Sequence, residues 1–310
     1  MAGRYSGPII DAHHHFWRMD LGKHPWLRQI PAGSADAALC RDFLPADYAA
    51  LAAAHAIVAS VHVEANWDPA DPLGETAWLD GLERPEGIAC RYVAYAALGD
   101  PAAAALVERH AGHPRTVGLR EIVSWHPDPA KRRTPANDRF ANRVWRENLK
   151  RAGDLGLSFD LLVTPHQFSD VARLAGEFET IDFIVNHYGS PMDRDPDGMR
   201  FWRDGLKLLA RRPNIAIKLS DPVAYDHDWT WESLTGVTQS VIDAFGPSRC
   251  LFATDHPVSA LHIGFGEWVE GFRRMLDNLS AGEAGMIFYG NAARLYRVDA
   301  PFLMQTDRRW

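Results

Sequence analysis

The sequence predicts a single α/β domain, residues 1–310, closed as a (β/α)8 barrel, and three observations predict it. Short apolar runs recur along the whole chain. Helical patterns separate them. The connections that follow the runs are longer than those that precede them. Strands alternating with helices pair in parallel through crossovers, and eight such units in about 250–300 residues is the usual size of a closed barrel. The rival, a doubly wound open sheet, carries a glycine-rich turn after its first strand. Here that position reads His13-His-His-Phe-Trp17.

The strand candidates, in order, are Pro8–His13, Ala56–Val63, Gly87–Ala94, Thr116–Val123, Leu157–Val163, Ile181–Asn186, Ile215–Leu219 and Cys250–Thr254. The helical patterns between them are Pro45–His55, Gly74–Leu82, Ala102–Ala111, Asn137–Leu155, Phe168–Phe178, Gly198–Arg211, Trp231–Phe245 and Glu267–Leu279. The segments after strands are long, as at Phe16–Leu44, Ser124–Ala136 and His256–Gly266, while the returns from helix to strand are as short as Gly156-Leu157. In a barrel the long loops gather on the C-terminal rim, where sites are built. No linker or composition shift argues for a second domain.

Composition narrows the function classes. A formal charge of −7 and a pI of about 6 leave no basic footprint for nucleic acid. Cys40, Cys90 and Cys250 lie far apart and form no Cys-x-x-Cys, the sparse usage of a reduced intracellular protein. The first residues lack the apolar core of a signal peptide, and no apolar run approaches membrane-spanning length. These features predict a cytoplasmic protein with a small-molecule substrate and neither nucleic acid nor membrane as partner. A homo-oligomer is compatible with them.

The strand ends carry the chemistry. Residues two apart on a strand share a face, so His13 and His15 point into the barrel together while His14 turns outward to a helix. Strand two ends His62-Val-Glu64, a polar pair read as sharing one face. Arg120 lies on strand four, Asn186-His187 ends strand six, Lys218-Leu-Ser220 ends strand seven, and Asp255 follows strand eight. Each has a plainer reading. Asp255 suits a turn or cap. His187 and His166 suit loops, Lys218 can reach solvent, and Arg120 can pair with Glu121. A one-residue slip would turn His62 and Glu64 to the other face. The joint placement favours function, because the first and last strands of a closed barrel are neighbours and bring His13, His15 and Asp255 together.

Nearly the whole chain resembles the amidohydrolase superfamily, in its amidohydrolase 2 branch of lactonases. The likeness rests on Ile10-Asp-Ala-His-His-His-Phe-Trp17 with Pro25-Trp-Leu27, Val61-His-Val-Glu-Ala65 with Glu75-Thr-Ala-Trp-Leu79, Val117-Gly-Leu-Arg120 and Phe159-Asp-Leu-Leu-Val163. It continues through Phe183-Ile-Val-Asn-His187, Pro213-Asn-Ile-Ala-Ile-Lys-Leu-Ser220, Phe252-Ala-Thr-Asp-His-Pro-Val258 and Asn291-Ala-Ala-Arg-Leu-Tyr296. The branch includes lactonases of pyrone dicarboxylates, of fucono- and rhamnonolactone, and of sulfomuconolactone. The resemblance implies a distorted (β/α)8 TIM barrel and hydrolysis of a cyclic carboxylic ester. It makes Asp255 the general base for water, with His13, His15 and His187 beside it, and Arg120 the grip on a substrate carboxylate or carbonyl. His62, Glu64, Trp26 and His256 are weaker assignments to the pocket wall. Two positions depart from the branch: His256 stands where Trp or Tyr is usual, and Asp221 where Gly is usual.

His13, His15, His187 and Asp255 are a competent set for one Zn²⁺ or Mn²⁺. A metal-free site is equally expected, because a lactone is an activated ester that a carboxylate base and cationic donors can open. Neither strand four nor strand five contains the lysine that a two-metal centre of this superfamily would need. A metal-dependent non-oxidative decarboxylase of an aromatic or unsaturated acid uses the same barrel and is the alternative.

Overall fold

The structure is a computed structural model and describes residues 4–299. Eight parallel strands follow one another in chain order: β1 Ile9–His14, β2 Ile57–Val63, β3 Arg91–Tyr95, β4 Thr116–Ile122, β5 Ser158–Leu162, β6 Phe183–Val185, β7 Ile215–Leu219 and β8 Cys250–Phe252. Helices α1 Pro45–Ala53, α2 Gly74–Asp80, α3 Ala103–Ala111, α4 Arg143–Asp154, α5 Phe168–Glu177, α6 Pro196–Ala210, α7 Trp231–Phe245 and α8 Phe265–Met275 lie between and after them. This is the (β/α)8 order expected. Several predicted ends shorten. β3 starts at Arg91 rather than Gly87, and α4 starts at Arg143 because Asn142 caps it through Trp145 N.

Closure between β1 and β8 is made by few bonds. Asp255 N–H donates to His13 O (2.8 Å), and His15 N–H donates to His256 O (2.8 Å). Asp11 is the buried clasp below them. Its carboxylate accepts from Thr254 N (2.9 Å), Thr254 Oγ1 (2.5 Å), Tyr48 Oη (2.6 Å) and His13 N (3.1 Å). Burial still pushes the Asp11 carboxyl up to about 6, against the pull of those donors.

Period-two alternation sets the two layers. Ile10, Ala12, Ala59, Val61, Val63, Ile184, Ala216, Leu251 and Ala253 form the barrel interior. Large side chains such as Trp145, Phe159, Phe183 and Phe252 face the helices. Beyond α8 the sequence reading assigned no element, yet Ala281–Gly285 and Asn291–Leu295 form short helices there. They bring Ala292, Leu295 and Tyr296 against the interior layer. Tyr296 Oη reaches up to donate to Asp160 (2.9 Å).

Candidate active site

Backbone strain collects where the strands end. His187, Tyr188 and Ser190 after β6, Asp221 after β7 and Asp255 after β8 all take φ between 49° and 56°, a left-handed conformation costly for any residue with a Cβ. These turns throw side chains back over the barrel mouth.

Four groups from three strand ends meet there. His13 Nε2 lies 3.2 Å from His15 Nε2 and 3.3 Å from Asp255 Oδ1, and His15 Nε2 is also 3.3 Å from Asp255 Oδ1. His187 Nε2 is 3.8 Å from the same oxygen. His13, His15, His187 and Asp255 therefore share one buried cluster. His14 turns outward as expected, with its ring stacked on Tyr48 at 4.4 Å. A register shift in β1 between Asp11 and His14 lets Ala12 and His13 both lie on the inner side.

The outer contacts of each ring set its orientation. His15 Nδ1–H donates to Val63 O (2.8 Å), which turns Nε2 towards His13 and Asp255. His187 Nδ1 is held by Ser220 Oγ at 2.8 Å. His13 differs, because Lys218 Nζ faces its Nδ1 at 3.2 Å. An ammonium donates only, so neutral His13 carries its hydrogen on Nε2 and aims it at His15 and Asp255. Lys218 also donates to Asp160 Oδ2 (2.6 Å), and Asp160 accepts from Asn186 Nδ2 (3.0 Å) and Tyr296 Oη. Lys218 is thus buried beneath the mouth rather than reaching solvent.

Burial holds His13 well below the usual imidazole range, helped by Lys218, and lowers His187 to about 4 against the pull of Asp255. Burial alone would raise Asp255. The neighbouring His187, His15 and Arg120 outweigh it and hold the carboxyl at about 2. Asp221 touches Asp255 and is driven well above the usual carboxyl range, first by burial and then by that like charge.

Several expected residues sit elsewhere or are already engaged. Arg120 is inside the mouth, but its Nε donates to Glu64 Oε1 (2.6 Å) and its Nη2 to Glu64 O (2.5 Å). Only Nη1, 3.4 Å from His13 Nε2, faces the cluster, so a bidentate grip on a substrate carboxylate is not available. Glu64 is the partner of Arg120 rather than free wall. His62 does not share its face. Ala59, Val61 and Val63 occupy the inner phase of β2, so His62 packs outward between His14 and Tyr92, and Glu64, past the strand end, swings inward. His256 also lies behind the mouth, its ring against Phe43, Tyr48 and Phe265, and burial lowers it to about 4. Trp26 braces the first loop, with Nε1 donating to Ala65 O (2.8 Å) and its ring on Trp17.

A second group, His126, His166 and Asp193, joins three loops on the rim. Asp128 N–H donates to His126 Nδ1 (3.0 Å), so Nε2 carries the hydrogen it gives to Asp193 Oδ2 (3.1 Å). Lys131 Nζ donates to Asp193 Oδ1 (2.5 Å). The group is a knot that ties loops together, with no imidazole lone pair at His126 turned to an ion.

The mouth cluster fits one divalent ion better. The ligand atoms of His13, His187 and Asp255 lie within 4.8 Å of one another. The 3.3 Å His13–Asp255 and 3.8 Å His187–Asp255 spacings bracket the roughly 3.4 Å edge of a tetrahedral site with bonds of about 2.1 Å. The one departure is Lys218. A ligating imidazole usually gives its other N–H to an acceptor, and here a cation faces it, so Lys218 must turn wholly to Asp160 when an ion binds.

Known proteins resemble this chain in sequence and in fold. The amidohydrolase family model matches residues 10–298. An L-fucono-1,5-lactonase of Burkholderia multivorans is 32% identical over 306 residues, covering 94% of this chain and 97% of that protein. A crystal structure of an amidohydrolase from Burkholderia multivorans with bound zinc superposes with a TM-score of 0.80 at 27% identity, covering 94% of this chain and all of that one. A 5-carboxyvanillate decarboxylase of Sphingomonas paucimobilis, 15% identical with a TM-score of 0.57 and covering 94% of this chain and 99% of that one, shares the fold alone. By the near full-length family match and its lactonase relatives, the chain is a member of the amidohydrolase family and a hydrolase of cyclic esters.

Proposed function

We propose that this protein opens the lactone of a sugar acid with water activated by Asp255. The observation that carries the reading is the meeting of His13, His15 and His187 at Asp255 Oδ1, within 3.3–3.8 Å, in a chain 32% identical to an L-fucono-1,5-lactonase. Asp255 is ionised throughout the neutral range and accepts a proton from the attacking water. The oxygen of that water bonds to the lactone carbonyl carbon, and negative charge develops on the carbonyl oxygen. Arg120 Nη1–H and His13 Nε2–H are the donors that face that charge, and both are held by buried partners, so little reorganisation is needed. The ring C–O bond then breaks, and the departing alkoxide takes the proton from Asp255. The products are the open hydroxy acid and the regenerated carboxylate.

A divalent ion held by His13, His187 and Asp255 would supply further polarisation of the carbonyl and a more acidic water. Zn²⁺ is the first choice, since a zinc-bound relative shares this fold at 27% identity. The decarboxylase alternative has only fold-level likeness in its favour. It also needs a cation for an aromatic carboxylate, and the buried cations here, Arg120 and Lys218, already hold Glu64 and Asp160. The test is a panel of aldonolactones, pyrone lactones and hydroxybenzoates, read for acid release and for CO2. Acid release from aldonolactones is expected. CO2 release without acidification would overturn the reading.

A further inference from the structure

We propose that Asp221 selects the substrate, its free carboxyl oxygen accepting a hydroxyl of an uncharged, polyhydroxylated lactone. The inference rests on the lactonase reading and names the group that would give it preference among lactones. Asp221 is the second residue after β7, next to Ser220, which orients His187, and its carboxyl touches that of Asp255. It therefore borders the reacting centre.

Its bonding sets it apart. The other carboxylates around the mouth are engaged: Glu64 by Arg120 and by Asn66 N, Asp160 by Lys218, Asn186 and Tyr296, and Asp11 by Tyr48 and Thr254. Asp221 is 4% exposed, yet apart from the Asp255 carboxyl against it no protein donor reaches its Oδ1, alone among the fully buried carboxyl oxygens of the described residues. Buried acceptors are nearly always satisfied, so an unpaired one beside the reacting centre points to a donor that arrives with the substrate. The residue is also kept at φ 49°, where glycine would sit without strain. Local backbone economy does not account for a carboxyl here.

Charge decides what kind of donor. Arg120 and Lys218 are each committed to a carboxylate, while Asp221 and Asp255 stand together on one side. A lactone bearing its own carboxylate would enter against the ionised Asp255. A neutral one bearing hydroxyls donates an O–H to Asp221. Arg133, exposed on the loop after β4 and felt electrostatically by Tyr225, is a cation with no carboxylate partner among the described residues. Carboxylate recognition through it is the competing outcome.

Binding of non-hydrolysable lactams separates recognition from turnover. Calorimetry on the intact protein would compare a polyhydroxylated δ-lactam, plain piperidin-2-one and a carboxylated δ-lactam in wild type, Asp221→Gly and Asp221→Asn. A hydrogen bond to a charged or buried group predicts that wild type prefers the hydroxylated over the plain lactam by about ten- to a hundredfold. In Asp221→Gly, which the backbone accepts without strain, that ratio should fall towards one, with Asp221→Asn in between. An unchanged ratio in Asp221→Gly, no preference or no binding in wild type, or tighter binding of the carboxylated lactam would each overturn the proposal. Lactone turnover is read separately. Absence of lactone turnover in wild type with the binding ratio intact would remove the lactonase reading and leave the recognition role.

Discussion

Replacing Glu64 by Gln keeps the shape of its side chain and removes the charge that neutralises Arg120. Both side chains are almost wholly buried, at 4% and 0% exposure, and the Nε–Oε1 distance is 2.6 Å. Removing one member of such a pair costs about 3–5 kcal/mol, because the other charge is left in a poorly solvated place. For 310 residues the unfolding entropy is roughly 0.65 kcal/mol per degree, so the melting temperature should fall by about 5–8 °C. Differential scanning calorimetry reads this directly. Glu64→Leu combined with Arg120→Met should recover most of the loss, since an apolar pair of similar volume often replaces a buried ion pair at little cost. A shift below about 1 °C for Glu64→Gln would refute the reasoning, since Arg120 would then have another counterion or open water.

The buried imidazoles set the acid limit of the fold. His24, His110, His187 and His256 are each lowered to about 4 by burial, so the unfolded chain takes up their protons first. Their stabilisation is complete above about 6.5 and is lost as pH falls towards 4, by roughly 3 kcal/mol each. Asp11 at about 6 and Glu75 at about 8 work in the opposite sense and return part of that loss. Thermal melts from pH 7 to 4 should fall steeply, and a flat profile would contradict the burial of these rings. His62→Leu should leave kcat/KM within about tenfold of wild type, because the ring packs outside the mouth. A loss of about a hundredfold or more would place His62 inside it. Zn²⁺ titrated into the protein should bind at one equivalent and lose that binding in His187→Ala/Asp255→Asn. Retention there, with loss in Asp193→Asn instead, would move the ion to the rim knot.

The strand and helix order was legible because apolar period and loop asymmetry are local properties of the chain. The pairing of His13 with His15 followed from alternation alone, and their meeting with Asp255 from closure of β1 on β8. His62 was misplaced because alternation gives relative faces but not the absolute phase of β2, which its alanine and valines decide. His256 was misplaced because the chain turns sharply at Asp255, with φ 55°, so the next side chain leaves the mouth. The floor beneath the site was hardest to read. Asp160, Lys218 and Tyr296 come from three distant segments and meet only in the folded barrel, where Asp160 accepts from both of the others. The one signal was a charge inside each apolar run, at Phe159-Asp-Leu-Leu and Ile217-Lys-Leu. The engagement of Arg120 by Glu64 had no sequence signal, since a cation at a strand end reads alike whether it grips substrate or a neighbour.

One comparison bears most directly on the carboxylate at the centre of this account: the initial rate of acid release from L-fucono-1,5-lactone by wild type and by Asp255→Asn, with folding checked by calorimetry. The account predicts measurable turnover in wild type and a loss of about 10²–10⁴-fold in the variant at an unchanged fold. Equal rates in the two proteins would contradict it.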